Sequence, residues 1–237
     1  MKLDELMPEF KDNLFCDLGP STNICAIGIG SAGAIIIDQI FNEQIQNVTT
    51  ISINTEQNNL SANYFFKLQN GTLGEYASAE GRVKIGEQLI DDLINKNNFK
   101  EIIKKYKYIF LIAALGGGLG TGGLLEMLNN LKDDDAYIVT ISILPFEFEK
   151  RNLKYLQEIK NRAGNRLIIV KNDNFINSPN DIFKDVLMRV NDHVVELISK
   201  ASNILNELKN EQINNLFEDV SFEPSKSLKL ITPQQNF

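Results

Sequence analysis

The sequence predicts an α/β domain built on a parallel β-sheet, on three observations. Five short apolar runs rich in β-branched residues alternate with stretches of helical periodicity. The runs read as strands buried on both faces, as in a sheet covered by helices. Two glycine clusters sit where a strand hands over to a helix, the place where such sheets bind ligands.

Met1 to Phe15 carries Leu3, Leu6, Met7, Phe10 and Leu14 at helical spacing, interrupted by Pro8, and is read as a helix of an N-terminal extension, residues 1–20. The main domain, residues 21–219, opens with a strand at Asn23 to Ile29 and a helix at Ala32 to Phe41. A second strand follows at Val48 to Ile53. Asn58 to Tyr76 is rich in Asn and Gly around an apolar knot, Tyr64 to Leu68, and is read as a long excursion with an edge strand. A helix at Glu80 to Ile94, a strand at Lys107 to Ala114, a helix at Thr121 to Leu131 and a strand at Ala136 to Ile143 continue the alternation. A helix at Lys150 to Ala163 and a strand at Arg166 to Lys171 precede a long helix from Asp181 to Ile198, which resumes after a break near Ser202 and Asn203. Residues 220–237 carry two prolines and no helical period and read as a tail, leaving no length for a second domain.

The charge balance restricts function. With 24 Lys+Arg against 31 Asp+Glu, the net charge is −7, the wrong sign for displacing counterions from nucleic acid. No apolar run is long enough to span a bilayer, and the acidic N-terminus lacks the order of a secretory signal, so a cytosolic protein is expected. Cys16, Cys25 and the single His193 are too few for a disulfide framework or a four-ligand zinc site, and His193 is read as structural.

Nine of the fifteen glycines fall in two runs: Gly28, Gly30, Gly33, and Gly116, Gly117, Gly118, Gly120, Gly122, Gly123. Glycine at a strand-to-helix turn lets the backbone approach a ligand, and the following helix offers free N–H groups to an anion. The first run also fits tight strand-to-helix packing. The second, six glycines in eight residues, forgoes backbone entropy with no evident packing return and points to a phosphate cradle. A P-loop is excluded, because no Gly-Lys dipeptide occurs. A dinucleotide-dependent oxidoreductase would use the first run with Glu56 on the ribose, leaving the second unexplained. A structural adaptor on this fold, without nucleotide, is the other alternative.

Leu115 to Gly123, LGGGLGTGG, resembles the signature loop GGGTGTG of the tubulin and FtsZ superfamily, with Leu119 in place of the first threonine. Other FtsZ-like segments follow in the family's order: GIGSAG at Gly28 to Gly33, NTEQNNL at Asn54 to Leu60, PFEFE at Pro145 to Glu149, Asn172-Asp173, and DVL at Asp185 to Leu187. The resemblance implies a Rossmann-like parallel sheet of the FtsZ GTPase-domain type, without the second FtsZ domain, that binds GTP or GDP with Mg2+. It assigns Gly28, Gly30, Ser31 and Gly33 to the first phosphate loop. Gly116, Gly117, Gly118, Leu119, Gly120, Thr121 and Gly122 form the second, with Thr121 also read as an ordinary N-cap. Glu149 falls on the ribose, Asn172 on the base or the ribose, and Asp185 on guanine. Leu153 stands where the family has an arginine, so a cation is sought at Arg151 or Lys154. Asn180 stands in place of a stacking aromatic, with Phe183 one turn on, and Ile35 replaces a pocket asparagine. The family's water-activating acids lie on a loop after the long helix, where Glu207 is the candidate catalytic residue on a poorly matched stretch. Weak or absent hydrolysis is therefore expected. The implied partners are guanine nucleotide, further copies of the chain, and proteins of division or membrane remodelling met in the cytoplasm or at the membrane periphery, with no nucleic acid.

Overall fold

The computed structural model describes residues 23–56, 59–68, 79, 81–96, 98–132, 136–149, 151 and 153–207. The N-terminal segment and the tail lie outside the described residues.

Six parallel strands form one sheet: β1 (Ile24–Ile29), β2 (Val48–Asn54), β3 (Tyr64–Lys67), β4 (Tyr108–Ala114), β5 (Tyr137–Leu144) and β6 (Leu167–Lys171). Their order across the sheet is β3-β2-β1-β4-β5-β6. The chain therefore winds outward from β1 in one direction, then returns to β4 and winds the other way. The crevice between β1 and β4, at their carboxyl ends, is the topological switch point where sheets of this kind take ligands.

The register follows from period 2. Cys25, Ile27 and Ile29 of β1 pack into one apolar layer, whereas Ile24 and Ala26 pack into the other. Helices α2 (Val83–Lys96), α3 (Phe99–Ile103), α4 (Gly118–Asn130) and α5 (Leu156–Ala163) cover the first face; α1 (Gly30–Asn42) and α6 (Phe183–Glu207) cover the second. Ile36, Ile37 and Ile40 of α1 and Val190, Val194 and Ile198 of α6 place an apolar residue every three or four positions against the sheet. The Cys25 thiol is fully buried, and burial pushes its pKa well up, so it stays a protonated core side chain. No helix among the described residues is long and apolar enough to cross a membrane.

Three elements differ from the sequence expectation. The edge strand forms at Tyr64–Lys67 as expected, whereas the short α3 was not foreseen, because it has too few residues to show a period. The helix expected from Lys150 starts only at Leu156, after a 3-10 turn at Glu147–Glu149; in the stretch between them the Arg151 guanidinium donates to the Gly116 carbonyl. The break expected near Ser202 does not occur. Ser202 is fully buried and its hydroxyl donates to the Ser199 carbonyl at 2.9 Å, so the polar group is satisfied within a helix that runs unbroken to Glu207.

Candidate functional site

Both strands flanking the switch point run directly into a helix. β1 ends at Ile29 and α1 begins at Gly30, which takes φ +76°, a left-handed conformation open to glycine at no steric cost. β4 is prolonged by the Leu115 amide, which donates to the Ile143 carbonyl at 2.8 Å; Gly116 turns at φ +94°, and α4 starts at Gly118 with Gly117 as its cap. Neither helix has a side-chain cap. The first N–H groups of two helices, and the positive ends of their dipoles, therefore have no side-chain partner. They meet in one cleft of about 430 Å³, which Gly30, Ser31, Gly117, Gly118, Leu119 and Gly120 help to line.

The glycine runs divide by role. A Cβ on Gly28 would stand 2.3 Å from the Gly33 carbonyl oxygen, and one on Gly33 would stand 2.8 Å from the Ile112 oxygen. Both residues are there so that α1 can pack on the sheet. A Cβ on Gly122 would come within 2.0 Å of the Val83 carbonyl oxygen and one on Gly118 within 2.8 Å of the Ala79 Cβ, so these glycines also let α4 approach α2 and the chain before it. The second run thus does have a packing return, contrary to the sequence reading. At Gly117, by contrast, nothing lies within 4 Å of a Cβ, and that side opens on the cleft. Thr121 is not an N-cap, since α4 has begun three residues earlier. It is buried, and its hydroxyl oxygen accepts from the Gly116 amide at 3.0 Å, which fixes the turn from within the first helical turn.

Across the cleft stand residues from β2, the β5–α5 connection and the end of β6. Glu149 accepts from the Phe146 amide at 2.9 Å and from the Arg151 guanidinium at 3.0 Å. Asn172 is 6% exposed, and its side-chain oxygen has no partner; Asn54 is 2% exposed, its oxygen accepting from the Thr55 amide at 2.9 Å and its Nδ2 without a partner. Both line the cleft. Orphaned polar groups in an interior are costly unless something else completes them. The sequence reading marks the NTEQNNL segment but does not single out Asn54 within it as a site residue.

Asp185 is not among the residues lining the cleft; it lies exposed in the first turn of α6. Beside it, Phe183 packs against Phe146 and Phe148 at ring-centroid distances of 5.2 and 5.0 Å. Ile35 is exposed on α1. Glu207 is the last residue of α6, with its side chain outside the described residues.

The model of the Tubulin/FtsZ family, GTPase domain, matches residues 23–180. The chain belongs to the tubulin/FtsZ family. Within this family, cell division protein FtsZ of Aquifex aeolicus is 29% identical over 179 residues, covering 69% of this chain and 47% of the relative. FtsZ 2 of Methanocaldococcus jannaschii is 30% identical over 171 residues, with 68% and 44% covered. The chain thus spans about half the length of the curated relatives it matches. An FtsZ dimer of M. jannaschii superposes with TM-score 0.72 at 23% identity, covering 82% of this chain and 60% of that one. CetZ2 of Haloferax volcanii, solved as a GTPγS-bound protofilament, gives 0.63 at 17% identity, covering 81% and 62%. These structures share the tubulin/FtsZ GTPase-domain fold with this chain.

Proposed function

We propose that this protein binds GTP and GDP in the cleft between β1 and β4 and uses the bound nucleotide to govern the assembly of copies of itself, with slow or no hydrolysis. The convergence of two uncapped helix N-termini on one cleft carries this reading, because it builds an anion site from backbone alone. A dinucleotide enzyme using one glycine loop would leave the second helix end idle. The phosphates lie at Gly30, Ser31, Gly117, Gly118 and Gly120, with the nucleoside toward β6, where Asn172 offers an unpaired acceptor to a hydroxyl or ring N–H. For the base to reach Asp185 it must extend past Asn172 to the first turn of α6. There the carboxylate would accept from the ring N–H and the exocyclic amine of guanine, a pair adenine does not present.

Among the described residues no group of three His, Cys, Asp or Glu could hold a metal. Mg2+ would arrive on the phosphate oxygens, with Glu56 at the cleft rim as the nearby acid. The CetZ2 protofilament supports assembly as the output. Slow hydrolysis is supported by the region expected to carry the catalytic loop, which is helical through Glu207. A place in division or membrane remodelling, reached from the cytoplasm, is part of the same proposal.

The test is to identify the nucleotide released from purified protein and to measure melting with GTP, GDP, ADP and NAD. Guanine nucleotides should stabilise by about 2.7 kcal/mol at a hundredfold excess over Kd. A shift with NAD alone, or with none of the four, rejects the proposal.

A further inference from the structure

We propose that Asp181 sets the guanine selectivity of this protein without touching the nucleotide, by holding Arg189 away from the carboxylate of Asp185. The inference rests on the reading of Asp185 as the guanine acceptor given above. Asp185 and Arg189 stand four positions apart in α6, the spacing at which an aspartate and an arginine face each other and pair. They do not pair. Arg189 Nη2 donates to Asp181 Oδ2 instead, and Nε donates to the Phe175 carbonyl at 3.0 Å. The Asp185 carboxylate is left with no hydrogen bond or ion pair among the described residues. Lys184, the residue before it, projects from another face of the helix.

The choice of partner has a physical cause. A pair of exposed charges on one helix face is weak, because water screens it and two long side chains must be ordered to make it. Asp181 offers a part-buried pair in which the arginine also satisfies the Phe175 carbonyl. Its carboxylate is fixed in turn, since Oδ2 accepts from the Asn177 amide at 2.7 Å. That amide above all, against an opposing effect of burial and with help from Arg189, holds the Asp181 carboxyl below its ordinary pKa and so keeps it ionised.

Freeing Arg189 would change what Asp185 can do. A guanidinium forks onto both oxygens of a carboxylate, and those oxygens are the acceptors that the ring N–H and exocyclic amine of guanine require. Arginine and base compete for one group. Asp181 decides the contest for the base, as a positioning residue that never meets it.

The experiment measures displacement of a fluorescent GTP analogue from the full chain by GTP and by ITP, whose base lacks the exocyclic amine. The proteins are the wild type, D181N, R189Q, the double variant D181N/R189Q, and D185N. The wild type should prefer GTP about tenfold, and D181N should lose that preference along with about tenfold in GTP affinity, because Arg189 then falls on Asp185. R189Q and the double variant should keep the wild-type preference, since the competing guanidinium is gone. A D181N protein that still prefers GTP overturns the inference. So does a double variant as impaired as D181N, which would mark the ion pair as a brace of the connection and nothing more. A D185N protein that keeps the preference is a different failure: it removes the guanine reading of Asp185, and the hold on Arg189 falls with it. A wild type that binds no GTP removes the nucleotide reading altogether.

Discussion

Gly30 and Gly120 face each other across the cleft, and the position a Cβ would take on Gly30 lies 3.4 Å from the Gly120 amide nitrogen. One residue opens α1 and the other sits in the first turn of α4, so the two helix ends are brought close enough to share one ligand. Any side chain at position 30 would need a left-handed backbone, and its Cβ would already touch the opposite loop.

Replacing Gly117 by valine separates binding from folding. Its φ of −95° suits an ordinary residue and no atom lies within 4 Å of the added Cβ, so the melting temperature should hold. The new methyl groups project into the phosphate space, and GTP affinity should fall beyond measurement by calorimetry. Retained affinity would show that the phosphates lie elsewhere.

Gly122→Ala should do the reverse. The added methyl would sit 2.0 Å from the Val83 carbonyl oxygen and force α4 away from α2. A loss of about 1–3 kcal/mol in denaturant unfolding is expected despite alanine's better helix propensity. An unchanged midpoint would contradict the packing role assigned to this glycine.

Asn172→Leu removes a buried acceptor that has no partner within the protein. Stability should stay level or rise, because an unsatisfied polar group is exchanged for an apolar one of similar size. Nucleotide affinity should drop about tenfold as one hydrogen bond to the ligand disappears. A destabilised variant with intact binding would mean that Asn172 is structural.

Phosphate release per molecule, measured against protein concentration, tests where hydrolysis comes from. A rate near zero at every concentration is expected, with E207Q indistinguishable from wild type. A rate that climbs with concentration and collapses in E207Q would place catalysis between subunits.

His193 supplies a pH dependence. Burial against Phe175 lowers its pKa below the ordinary 6.5; Glu196 opposes this shift and Lys200 adds to it. The folded state thus binds its proton less readily than the unfolded chain does. Stability from this group is present above pH 6.5 and is lost as pH falls through the lower folded value. His193→Gln should flatten that part of the profile; an unaltered profile would assign it to other groups.

The strands were legible because a parallel sheet covered on both faces leaves an uninterrupted apolar run, as in Ile24–Ile29 and Tyr108–Ala114. The glycine loops were legible as loops, but not their division of labour. Gly117 and Gly122 are the same letter in one run, and only the neighbouring carbonyl of Val83 tells them apart. Arg151 was named as a candidate cation without a partner, because its contact with Gly116 spans 35 positions of sequence. The unbroken α6 was hidden by Ser202, whose unfavourable helix propensity is offset by burial and a bond to its own turn.

Helix α1 belongs to one apolar layer and α4 to the other, with the sheet between them. A ligand gripped by both acts as a rivet through a three-ply board. Loading should therefore slow hydrogen exchange in α1 and α4 together, on opposite sides of the molecule, and emptying the cleft should let the two plies breathe separately.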